Sequence, residues 1–161
     1  MAGSLIVSLL NTASVPGVVL LSALCDRTTV TNIIFISAFG STVSIILLWG
    51  LSTTLPGIVV FAIMYGFFAG GYTSTYAGIV KELRRVSAGS DLGSMFGLLS
   101  AGRGIGNVIC GPISESLLGH RPWYGKALFA YGSAYGPLIA FTGTTAALTL
   151  TPWVTKSLHL I

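Results

Sequence analysis

An all-α protein that crosses a membrane about five times is the fold class this sequence predicts. Three observations lead there. Of 161 residues, 53% are hydrophobic and only 7% charged. Mean hydropathy is +0.87. The charges fall almost entirely between five apolar stretches. With the 21 glycines the apolar share reaches about two-thirds, against about 45–50% in soluble domains. Twelve charged side chains cannot cover a water-soluble globule. A soluble enzyme, a disordered chain and a nucleic-acid-binding domain are thereby excluded. The net charge of +4 does not change this, because the eight Lys and Arg form no stripe. The expected partner is the lipid bilayer.

A helix crossing about 30 Å of hydrocarbon needs about 20 mainly apolar residues. Five stretches meet that length: roughly 2–24, 30–51, 57–80, 92–118 and 127–151. Backbone groups in lipid must pair internally, which selects helices, and the roughly ten-residue alternation of a β-barrel is absent. The first stretch has no preceding Lys or Arg and exceeds a signal core in length, so it reads as a span. Arg27, Lys81, Arg84, Arg85 and Lys156 fall on one side and Arg121 and Lys126 on the other. The first side is expected to be cytoplasmic, with the N-terminus outside and the C-terminus inside. Trp49, Trp123 and Trp153 sit at span ends, as interfacial anchors do. An odd number of spans starting outside without a leader leads us to expect further sequence upstream.

In the first span, Ser4, Ser8, Asn11, Val15, Val18 and Ser22 share a face. The Asn11 amide needs a partner in hydrocarbon, either a neighbouring helix or a cavity. Pro16 removes one backbone donor and predicts a bend. In the third span, Phe61, Tyr65, Phe68, Tyr72 and Tyr76 line one face, beside Gly66, Gly70, Thr73 and Ala77. The tyrosine row reads either as a substrate-facing surface or as interhelical packing. The glycines allow close helix approach.

The fourth span carries most of the chemistry. Gly93, Gly97, Ser100, Gly104 and Gly111 form a small-residue seam, opposite Met95, Leu98, Ile105, Ile109 and Ile113. Between them lie Phe96, Arg103, Asn107 and Ser114. Arg103 is eleven residues into the span, or about 16 Å, near mid-membrane. There an Arg costs about 2.5–3.5 kcal/mol even on the lenient insertion scale, so it should face protein or a wet cavity. Its partner is an anionic substrate or a carboxylate on another helix. Glu115 is a snorkelling group or an outer gate. The run Gly102–Asn107 spells G-x-G-x-G inside a span, so it is no dinucleotide fingerprint. Cys25 and Cys110 stand alone, and His120 and His159 flank the spans. No metal site, cofactor or catalytic constellation is expected, and the chain does not read as an enzyme.

Several segments resemble the major facilitator superfamily, closest to the fungal branch similar to monocarboxylate transporters. Asn11-Thr12-Ala13-Ser14-Val15-Pro16-Gly17 followed by Leu24-Cys25-Asp26-Arg27 is similar to that branch's eighth helix and inner loop. Phe67-Phe68-Ala69-Gly70-Gly71 is similar to its tenth helix. Arg103-Gly104-Ile105-Gly106-Asn107 through Gly111-Pro112-Ile113-Ser114 is similar to its eleventh. Two positions depart from it: Val18 stands where Arg is usual and Ser22 where Gly is usual. The resemblance implies helices eight to twelve of twelve, so that residues 1–161 form a partial C-terminal transporter domain, a fragment inactive alone. It implies a carrier for small organic anions, monocarboxylate-like and proton-linked or facilitative. Arg103, Asn11, Asn107, Tyr65 and Tyr72 would bind substrate, and Asp26 and Arg27 would serve gating. Its partner would be the N-terminal half. The alternative is a non-transporting membrane subunit packed against another membrane protein.

Overall fold

In a computed structural model, residues 2–86, 91–120, 125 and 128–157 are described, and among them every regular element is helical. Helix α1 spans Ala2–Cys25. Helix α2 spans Val30–Val43 and runs on without a break through a π-helical segment, Ser44–Trp49. Helix α3 spans Leu55–Val86 and α4 Leu92–His120. A 3-10 turn at Phe129–Gly132 precedes α5 (Gly136–Leu148) and α6 (Thr151–Ser157). Among the described residues three segments are long and apolar enough to cross a membrane: Gly3–Cys25, Val30–Trp49 and Leu55–Val80. Helix α4 has the length, 29 residues or about 43 Å, but Arg103 and Asn107 interrupt its middle.

The last apolar stretch takes a different form from a single 25-residue span. Its one long helix, α5, has 13 residues, about 20 Å, short of the roughly 30 Å hydrocarbon core. Pro137 sits in the first turn of α5, where a missing N–H is tolerated. Upstream, Phe129 has φ 57°, a left-handed conformation that non-glycine residues rarely adopt. Hydropathy counts these residues as apolar whatever their backbone does. Ala127, Arg121, Trp123 and Lys126 lie outside the described residues.

Helix α3 is the hub, with α1 along one face and α2 along another. Small residues make the α1–α3 contact possible. A Cβ on Gly17 would overlap the Phe67 carbonyl, one on Gly66 the Leu10 carbonyl, and one on Gly70 would come within 2.8 Å of the Ser14 carbonyl. The close approach expected at Gly66 and Gly70 is therefore made, and α1 is its partner. Thr73, by contrast, is exposed.

On the other side, Ile45, Phe61, Ala130 and Ile139 form the apolar core that joins α2, α3, the 3-10 turn and α5. Trp49, Tyr65 and Tyr131 pack against it. Trp153 of α6 meets Phe35 of α2 with ring centroids 4.3 Å apart. Both described tryptophans are thus held in ring contacts.

Candidate functional site

Helix α4 begins at a capped turn. The Asp91 carboxylate accepts hydrogen bonds from Ser94 Oγ (2.6 Å) and the Gly93 N–H (3.2 Å), and the Asp91 carbonyl accepts from the Met95 N–H. Of these, the Gly93 N–H is one of the backbone donors that a helix N-terminus leaves unsatisfied. The Ser94 hydroxyl foremost, then the Gly93 amide, hold the Asp91 carboxyl below its ordinary value.

From that start, about 100° per residue places Phe96, Arg103, Asn107, Cys110 and Ser114 in one stripe on α4. Arg103, Asn107 and Cys110 are exposed. Cys110 Sγ lies 3.8 Å from Ser114 Oγ. Arg103 makes no ion pair or hydrogen bond with any described residue. Nothing approaches within 4 Å of a Cβ built on Gly97, Gly102, Gly104, Gly106 or Gly111, so the small-residue seam is open as well.

Opposite that stripe is the aromatic row of α3. Trp49, Phe61 and Tyr65 stack in series, with centroids 5.2 and 5.5 Å apart. The Thr149 hydroxyl donates to the Ala146 carbonyl at 2.6 Å, which leaves the Tyr72 hydroxyl to donate to Thr149 Oγ1 at 2.9 Å. The stripe and the row meet where Phe96 lies edge-on to Tyr76, with ring centroids 6.4 Å apart. Farther along α4, Arg103 and Asn107 put one cation and one amide on the exposed part of the same stripe.

The other expected site residues lie elsewhere. Asn11 is exposed on α1, about a quarter-turn from the α3 contact, and donates to the Val7 carbonyl at 2.9 Å. One of its two amide N–H donors is thus used within its own helix, and no described contact joins it to Arg103 or Asn107. Asp26 and Arg27 lie exposed in the turn after α1, where their N–H groups donate to the Ser22 and Leu24 carbonyls. Glu115 is exposed beside an open depression of about 460 Å³ lined by Pro112, Ser116 and Gly119.

Two features escaped the sequence reading. Asp91 with Ser94 carries a legible signal, an N-cap residue directly before an apolar run. The meeting of Phe96 with Tyr76 carries none, because it depends on how α4 lies against α3. Among the described residues no group of three His, Cys, Asp or Glu is placed to hold a metal. The arrangement offers charge-assisted hydrogen bonding to an anion beside flat aromatic edges. No family model, curated protein or solved structure matches the chain.

Proposed function

We propose that this chain forms one wall of a membrane carrier for small organic anions, in the manner of major facilitator superfamily transporters of the monocarboxylate-like fungal branch. In that reading α1 to α4 are four spans and α5 with α6 together make the fifth crossing, with the N-terminus outside and the C-terminus in the cytoplasm. Arg103 attracts the anion, Asn107, Tyr65 and Tyr72 line the path, and Asp26 and Arg27 act in gating. The complementary wall comes from other membrane segments, because alternating access needs two bodies rocking about a midplane site.

The observation that carries this reading is Arg103 in the middle of α4, with no ion pair or hydrogen bond to any described residue. The four acids of the chain are Asp26, Glu82, Asp91 and Glu115. The nearest along the chain, Asp91 and Glu115, are each twelve residues from Arg103, or about 18 Å. No described carboxylate pairs with the guanidinium, which suits a counter-charge supplied by a substrate anion.

The test is equilibrium binding of a labelled short-chain monocarboxylate to the chain in nanodiscs, beside uptake in a complete carrier. Arg103→Gln removes a charge-assisted hydrogen bond worth about 1.5–3 kcal/mol. Binding is expected to weaken at least about tenfold, with flux lost in parallel. Undiminished binding contradicts the proposal. A second reading, a subunit that packs against another membrane protein, draws on the open glycine seam of α4. It expects Arg103→Gln to impair assembly and leave anion binding unchanged.

A further inference from the structure

Three local irregularities converge on one contact, the Tyr131 hydroxyl with the Ile46 carbonyl, 2.9 Å apart. Ile46 lies inside the π-helical segment Ser44–Trp49. Such segments are rare and occur mostly as single wide turns, frequently at functional sites. At the end of the segment the Gly50 N–H reaches back to the Ile45 carbonyl, five residues away, and to Leu47. In an α-helix it would bond the Ile46 carbonyl, the oxygen that Tyr131 takes. Gly50 itself lies flush under the Tyr131 ring, where a Cβ would overlap the aromatic carbons. Tyr131 is carried on the 3-10 turn that opens with Phe129 at φ 57°. Strain of that kind persists only where surrounding contacts hold it.

The geometry points to Tyr131 as a positioning residue that latches α2 in its π form and thereby holds Trp49 against the Phe61–Tyr65 stack. A π turn holds more residues than an α turn, so reversion rotates everything beyond it by roughly one residue, about 100°. Trp49 stands at the end of the segment and is the first ring of the Trp49–Phe61–Tyr65 stack. Turning Trp49 removes the ring that backs Phe61, and Phe61 in turn backs Tyr65. The significance of Tyr65 rests on the transport reading above. The latch does not, and it is measurable without any substrate.

Trp49 fluorescence reads the latch directly in the full chain in nanodiscs, with Trp123→Phe and Trp153→Phe leaving one indole. Tyr131→Phe keeps the ring and removes only the hydroxyl. It is expected to red-shift Trp49 emission and raise its collisional quenching several-fold. Gly50→Ala, which displaces the ring, is expected to do the same. Tyr135→Phe, an exposed tyrosine four residues on, should leave both readings at the wild-type value. Wild-type emission in the folded Tyr131→Phe variant overturns the proposal, as does an equal change in Tyr135→Phe. Should Gly50→Ala fail to fold, the Tyr131→Phe comparison still decides. If Trp49 responds as expected while Arg103→Gln leaves anion binding unchanged, the latch stands and the transport reading falls.

Discussion

At the start of α4 a single carboxylate organises a helix end. Asp91 accepts from Ser94 Oγ and the Gly93 N–H, and both bonds favour its charged form. Its folded-state pKa is lowered. The linked stabilisation is therefore present above the ordinary carboxylate value and is lost as pH falls through the lowered one. Asp91→Ala is expected to raise hydrogen exchange of the Gly93 to Met95 amides at neutral pH. The two proteins should converge as the solution is acidified below the carboxylate range. An Ala variant whose first-turn exchange matches the wild type at pH 7 contradicts the cap. This residue was legible in the sequence as an Asp directly before an apolar run. Arg103 and Asn107 were legible as a polar stripe for a similar reason, since a helix wheel needs only the period. Asn11 was half legible: its need for a partner was plain, but its bond to the Val7 carbonyl depends on a rotamer that sequence does not encode.

At the scale of elements, glycine means opposite things in α3 and α4. Gly70 meets the backbone of Ser14, so Gly70→Val overpacks the α1–α3 contact. Destabilisation of about 1–3 kcal/mol is expected by denaturant titration in detergent. Gly106 faces open space. There Gly106→Ala should stabilise α4 by up to about 1 kcal/mol through helix propensity alone. Equal effects at the two sites refute this division. The sequence placed both ends of α1 and the start of α2 within a residue because apolar runs and turns coincide there. It missed the length of α3, which continues to Val86, because Lys81 to Arg85 extend the helix beyond its apolar part. It also missed the break before α5, since Gly132, Ser133, Gly136 and Pro137 change the backbone while barely changing hydropathy. The π segment left no trace in Ser44–Trp49, whose apolar residues suit an α-helix equally well. Its shape comes from Tyr131, 85 residues from Ile46 along the chain.

Taken whole, the molecule packs α1 and α2 on α3, sets α5 against α2, and places α4 beside α3 and α5 with most of its surface uncovered. Leu98 and Val108 of α4 are each 76% exposed. Apolar side chains so exposed suit lipid or another membrane helix. On the same helix Arg103 requires water or an anion. In the carrier reading the two demands are compatible only if α4 stands at a boundary, with lipid on one side and a watery path on the other. The most direct measurement is aqueous thiol labelling in bilayers, with Cys25→Ser and Cys110→Ser removing the native thiols. Arg103→Cys is compared with Val108→Cys, about 140° away around the helix. A membrane-impermeant thiol reagent is expected to label position 103 quickly and to leave position 108 untouched. If position 103 stays as unreactive as position 108, Arg103 does not border a watery path and the carrier account fails.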